Sequence, residues 1–228
     1  PTILSRGIGI ILLPLYTRIM SPEQLGALEL FIAFGNILAI TVAFEITQAI
    51  SRYIPEASSI LRGSYAFTGI IFTSCMYGLA VIVMLIFAND LSFLITNSKD
   101  YDFEFKLIII SIVLNGHFYY FQNLLRFEGK STQYSVASAM YALSNLIFVF
   151  LLGIVYDLSL QGVIAALIVS SLFGSMLSLF FLRNSFTIKF KFNLLKKLLS
   201  FSIPLVPASL LLFVSTYIDR FMINNFLN

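Results

Sequence analysis

The feature that most constrains this chain is the length of its apolar runs. A membrane-spanning helix needs about 20 predominantly apolar residues, and seven stretches qualify, at about 1–17, 25–50, 64–88, 105–125, 133–155, 161–182 and 202–226. They are too long and too continuous for barrel strands, which alternate in polarity. Short polar breaks separate them, among them "TRIMSPEQLG", "RFEGKSTQ" and "YDLSLQG". Composition agrees: 59% of the residues are hydrophobic, 11% are charged, and mean hydropathy is +0.94. A soluble domain carries about 25% charged residues, so too few polar side chains exist to cover a water-facing surface. The expected fold is an all-α integral membrane bundle of about seven transmembrane helices.

Loop lysines and arginines set orientation. Arg52, Arg62, Arg126, Lys130, Arg183, Lys189, Lys191, Lys196 and Lys197 follow the even helices, whereas only Arg18, Lys99 and Lys106 follow the odd ones. This places the even loops and the N-terminus in the cytoplasm. Acidic Asp90, Asp100, Asp102, Glu104 and Asp157 collect on the other side.

The sixth loop contains "FNLLKKLLSF", in which Leu194, Leu195, Leu198 and Leu199 share one helical face beside Lys196 and Lys197. The pattern suits a short helix in the headgroup layer or the start of helix 7. Domains are therefore expected at 1–200, a six-helix lobe ending in a basic interfacial linker (183–200), and at 201–228, the first helix of a second lobe. Supporting this, "YTRIMSPEQLG" (16–26) aligns without gaps with "IDRFMINNFLN" (218–228), matching Arg18 with Arg220, Met20 with Met222 and Leu25 with Leu227. Parallel six-helix repeats would produce such an echo. Residue 1 is proline, so the natural start is expected upstream, and six helices plus one reads as a truncated two-lobe molecule.

Polar residues form stripes at helical spacing. Helix 2 carries Thr41, Glu45, Gln48 and Arg52; helix 4 carries Asn115, Tyr119, Gln122 and Arg126; helix 5 carries Tyr134, Ser138, Tyr141 and Asn145. Helix 1 adds Arg6, and helix 7 the pair Asp219–Arg220. One reading is helix-to-helix hydrogen bonding and close packing, with Arg52 and Arg126 as interfacial anchors. The other is a water-filled cavity open to the cytoplasm, because ionisable groups at membrane depth face cavities or partners. Its candidate residues are Arg6, Glu45, Gln48, Arg52, Asn115, Tyr119, Gln122, Arg126, Asn145 and Arg220, a set with more positive than negative charge that suits a phosphate. Asp219 and Arg220 either neutralise each other or mark the second lobe's side of the pathway. His117 reads as a hydrogen-bonded structural residue ahead of a proton relay.

Several chemistries lack their motifs. There is no Gly-rich phosphate loop for an ATP motor and no His/Cys cluster with metal-ligand spacing. Cys75 stands alone, so no disulfide framework is expected, and no cleavable signal peptide is expected either. The acidic "NSKDYDFEF" loop is too short for a catalytic module. No cofactor, no enzymatic activity and no nucleic-acid partner are expected.

The segments "SRGIGIILLPLYTRIMSPEQLGALEL", "AFEITQAISRYIPEA", "LLRFEGKSTQYSVAS" and "LLSFSIPLVPASLLLFVSTYIDRFMINNFL" resemble those of bacterial O-antigen and capsular polysaccharide repeat-unit flippases. These belong to the multidrug/oligosaccharidyl-lipid/polysaccharide exporter superfamily. The resemblance spans essentially the whole chain and implies the N-terminal half of a V-shaped, two-lobe protein of the bacterial inner membrane. It further implies ATP-independent alternating access carrying a polyprenyl-diphosphate-linked oligosaccharide outward. A cationic cavity is implied, with Arg6 the best match to a family arginine and Arg52 a weaker one. Membrane lipids, a polysaccharide polymerase and other assembly proteins are the expected partners. A drug/cation antiporter of the same superfamily, which would favour an acidic cavity, a membrane-embedded glycan-processing enzyme and a non-transporting assembly subunit are the alternatives.

Overall fold

A computed structural model describes residues 12–215. Residues 12–19 form helix α1. The chain continues through α2 (Pro22–Val42), α3 (Ile46–Tyr53), α4 (Ser59–Ile86), α5 (Ala88–Thr96), α6 (Asp102–Phe127), α7 (Ser131–Val149), α8 (Ser159–Leu182) and α9 (Phe192–Ser202). A π-helical segment, Phe150–Val155, extends α7, and a 3-10 turn, Ile203–Leu205, joins α9 to α10 (206–215). No strand occurs among the described residues. Six helical segments there are long and apolar enough to cross a membrane: Pro22–Val42, Ile60–Ile86, Asp102–Phe127, Ser131–Val155, Ser159–Leu182 and Phe192–Ser215. The membrane-bundle expectation is met. The first and last expected helices are described only at 12–19 and up to 215, and the 218–228 repeat lies outside the described residues.

The bundle turns soluble-protein logic inside out. Leu79, Ile82, Ile86, Leu94, Met176 and Leu211 are exposed, as side chains facing lipid should be, while backbone polar groups are satisfied within helices. Inside, small residues bring helices together. Gly162, Ala166, Ser170, Gly174 and Ser178 recur at every fourth position of α8 and are all buried. That stripe meets α6 and α7, the two most extensive helix pairings. A Cβ at Gly174 would stand 2.7 Å from Phe118 Cε2, and one at Gly162 2.9 Å from the Leu152 carbonyl oxygen. Lipid supplies no hydrophobic drive for helix association, so this approach and its dispersion contacts carry the packing.

Polar contacts fix the two ends. At one, "SPEQ" forms a capping box: Ser21 Oγ accepts from the Gln24 amide at 3.3 Å and Gln24 Oε1 from the Ser21 amide at 3.1 Å. Such a cap is worth about 1 kcal/mol. Ser159, held at φ 47°, donates to Gln24 Oε1 at 2.7 Å, and Gln161 donates to Glu104 at 2.8 Å. At the other end Lys130 pairs with Glu128 at 2.9 Å and donates to Ser185 Oγ at 2.6 Å, while Ser185 donates to Glu128 at 2.6 Å.

Three features depart from the sequence expectation. The expected 25–50 helix is broken at residues 43–45, where Phe44 (φ 47°) and Glu45 (φ 52°) are both left-handed. Neither is glycine, and the conformation costs about 1–2 kcal/mol per residue. The Thr41–Glu45–Gln48–Arg52 stripe is therefore not one continuous helical face. Second, a short helix, α5, fills part of the stretch between the expected 64–88 and 105–125 helices. Third, the leucine face of α9 covers protein rather than headgroups. Leu195 and Leu198 are buried with Ile46, Ile50, Ile54 and Tyr65 of α3 and α4, and Leu194 and Leu199 pack against them. Lys197 Nζ rests 4.4 Å from the centroid of the Tyr53 ring. The apolar surface of α3 and the N-terminal half of α4 supplies a drier partner than the headgroup layer.

Candidate functional site

The break between α2 and α3 opens onto a cavity of about 600 Å³. Its walls are α2 (Asn36, Ala39), the break itself (Ala43, Glu45), α3 (Gln48), α4 (Thr73, Tyr77) and α6 (Asn115, Tyr119, Tyr120). Helix α10 adds Ser209, Leu212 and Phe213. Thr73 and Asn115 stand near the midpoints of α4 and α6, so the cavity lies at mid-depth of the bundle. Its volume falls in the range of small-molecule sites.

Two polar side chains here stand out, Glu45 and Thr73. Glu45 is the one Asp, Glu, Lys or Arg among the described lining residues, and its carboxylate carries no hydrogen bond or ion pair there. Thr73 Oγ1 is buried without a hydrogen-bond partner among the described residues. Gly116 lets the Tyr77 ring lie against the α6 backbone, because a Cβ there would collide with that ring. Behind the wall, the Tyr141 hydroxyl stands beside Asn115 and Ser171.

The candidates named from sequence divide into three groups. Glu45, Gln48, Asn115 and Tyr119 come together around the cavity. Gln122, Asn145, Arg52 and Arg126 lie outside it. Gln122 is buried between helices, accepting from Ser138 of α7 at 3.0 Å and donating to Ser178 of α8 at 3.3 Å. Asn145 is buried with its Nδ2 unpartnered among the described residues. Arg52 is exposed and sits 3.9 Å from Glu56, a surface pair of little energetic weight. Arg126 lies over the Phe127 ring at 5.1 Å. Arg6, Asp219 and Arg220 lie outside the described residues.

Stripe geometry explains the division along α6. Asn115, Tyr119 and Gln122 share an azimuth, but α7 and α8 close over that face at the level of Gln122. The helix 5 stripe is spent the same way. Ser138 holds Gln122, and Tyr141 stacks on Phe118 at 4.5 Å with rings 17° apart. His117 is also committed: Nδ1 lies 2.8 Å from the Val113 carbonyl and Nε2 2.9 Å from Ser74 Oγ. A carbonyl only accepts, so Nδ1 carries a proton, and Nε2 is free to accept from the serine hydroxyl.

Thr73, Tyr77 and Asn36 were missed in the sequence. A signal existed on α4, where Gly69, Thr73 and Tyr77 recur at every fourth residue and so share a face.

Comparison with known proteins supplies what the cavity alone does not. The sequence profile described as "Polysaccharide biosynthesis protein" matches residues 2–228. The chain belongs to the polysaccharide biosynthesis protein family. No curated protein matches it. Its fold is that of MATE structures. It superposes on a MATE in the bent conformation with TM-score 0.73 at 17% identity, covering 92% of this chain and 51% of the other. A proline-to-alanine mutant of a MATE gives 0.69 at 19% identity, with 91% and 51% covered. A MATE in complex with MaD3S gives 0.68 at 20% identity, again with 91% and 51% covered. This polysaccharide biosynthesis chain therefore spans about half the length of the solved structures it resembles.

Proposed function

We propose that this chain forms the N-terminal lobe of a flippase for polyprenyl-diphosphate-linked oligosaccharides in the bacterial inner membrane. It works by alternating access with its N-terminus in the cytoplasm. The observation that carries the reading is the family match along residues 2–228 on a transporter fold. The mid-depth cavity, lined by α2, α3, α4, α6 and α10, suits a substrate passing between two lobes. Domain limits of 1–200 and 201–228 belong to this proposal, as do a polysaccharide polymerase and assembly proteins as partners. Arg6 and Arg220 would supply positive charge for the diphosphate, since arginine stays ionised and grips phosphate oxygens with a planar fork.

The complete protein should restore surface glycan to a flippase-deficient host that makes the cognate lipid-linked repeat unit. Normal membrane abundance with no surface glycan, and lipid-linked intermediate retained on the cytoplasmic face, would refute the proposal. One observation favours a second reading, a drug/cation antiporter. Glu45 gives the described cavity an acidic rather than a cationic lining. That reading requires export of lipophilic cations from the same cells, measured by dye efflux.

A further inference from the structure

The charge carried by the described residues of the cavity does not match a diphosphate. Phosphate oxygens call for arginine, lysine or clustered N–H donors. Among the described lining residues there is no cation, and the carboxylate of Glu45 faces the space unpaired. Like charges repel, and at mid-depth the low dielectric magnifies the repulsion. Arg52 and Arg126 stand outside the cavity, toward the basic end of the bundle.

The same groups match a sugar. A carboxylate accepts from hydroxyl donors, and the side-chain amides of Gln48 and Asn115 both donate and accept. Thr73 Oγ1, buried in the wall and unpartnered among the described residues, is an orphan that a hydroxyl would satisfy. Tyr119, more than half exposed, offers a ring face for the C–H side of a pyranose. Glu45 is presented from a left-handed break rather than a regular helix. Strain of this kind persists where the surroundings hold it, and it clusters at ligand sites.

We infer that this cavity receives the glycan of the transported lipid, favours neutral or amino sugars over uronic acids, and leaves the diphosphate outside. The inference rests on the flippase reading for the identity of the substrate, and on the cavity alone for which part of it binds here. Tyr119 and Glu45 are the residues that discriminate, one by stacking and one by charge.

The test uses the complete chain in lipid nanodiscs, with every native cysteine, Cys75 included, replaced by serine and Ser209→Cys placing a reporter on the α10 wall. Maleimide labelling is timed with a neutral N-acetylhexosamine oligosaccharide, a uronic-acid oligosaccharide or inorganic pyrophosphate, at matched ionic strength. The neutral sugar should slow labelling, and the other two should not. Glu45→Gln should raise the half-protecting concentration of neutral sugar about tenfold, the loss of one charge-assisted hydrogen bond, and should narrow discrimination against the uronic acid. Tyr119→Ala, on the exposed rim, should weaken protection independently of any effect of Glu45→Gln on folding. Protection by pyrophosphate equal to or stronger than that by neutral sugar overturns the inference, as does no protection by any sugar. Surface-glycan rescue without sugar protection overturns this inference alone; sugar protection without rescue overturns the flippase reading and leaves the cavity assignment standing.

Discussion

Gln122 joins three helices, and replacing it separates packing from transport. The side chain is buried between Ser138 on α7 and Ser178 on α8, at 3.0 and 3.3 Å. Gln122→Leu keeps the volume roughly constant and removes both hydrogen bonds. Interhelical hydrogen bonds in membranes average about 0.6 kcal/mol each, so the pair contributes about 1.2 kcal/mol. The orphaned serines add less than they would in a water-soluble core, because serine hydroxyls can turn back to the carbonyl three or four residues earlier in their own helix. The expected loss is therefore about 1–2 kcal/mol. Reversible unfolding in mixed micelles, followed by far-UV dichroism, measures it. A double-mutant cycle with Ser138→Ala should return a coupling of about 0.6 kcal/mol, the worth of one bond. Sugar protection of the Ser209 reporter should not change, because Gln122 does not reach the cavity. Unchanged stability together with lost sugar protection would refute the reasoning and return Gln122 to the substrate path.

Glu45→Gly should raise stability by several tenths of a kcal/mol, because glycine occupies the left-handed region without steric cost, whereas Glu45→Val should lower it; both are read from the same unfolding titration. Gly174→Ala sets a Cβ 2.7 Å from the Phe118 ring, and overpacking of about 1–3 kcal/mol should appear as an earlier unfolding midpoint. The Tyr101 hydroxyl, outside the spanning segments, is pushed up by burial and then by the carboxylates of Glu23, Asp100 and Glu104. Its neutral form is favoured when folded, so stability should fall once pH passes about 10, where the unfolded tyrosine ionises; Tyr101→Phe should flatten that alkaline limb. Cysteines at Ser58, Ser131 and Asn184 should resist an impermeant thiol reagent in intact cells while Lys99→Cys and Tyr156→Cys label, and the reverse pattern would invert the proposed orientation.

The helices were legible because roughly twenty-residue apolar runs admit few other structures in lipid. The break at 43–45 was not, since "TVAFEITQ" has neither proline nor glycine and reads as uninterrupted helix. Only the surroundings of Phe44 and Glu45 decide that conformation. Periodicity gave the azimuth of Asn115, Tyr119 and Gln122 correctly, yet it carries no information about what stands opposite at each depth. That is why one stripe divides into two cavity residues and an interhelical bridge. For α9, amphipathicity announced an apolar face without naming its partner, and α3 with α4 proved to be that partner. The small-residue stripe of α8 stands in the sequence at a strict period of four and marks the most extensive helix pairings in the bundle.

The 3-10 turn at Ile203–Leu205 buries none of its residues, while α9 before it is anchored through Leu195, Leu198 and Ser202. Bending the chain at Pro204 therefore uncovers no buried side chain of the turn itself. A bend within α9 would strip its leucines from α3 and α4. For protein engineering this fixes the seam: chimaeras that exchange the downstream helices should be joined at 203–205, with α9 kept as part of the upstream module. A junction placed earlier, in the 183–191 stretch, would carry α9 away with the wrong parent and leave Ile46, Ile50 and Tyr65 facing a foreign surface.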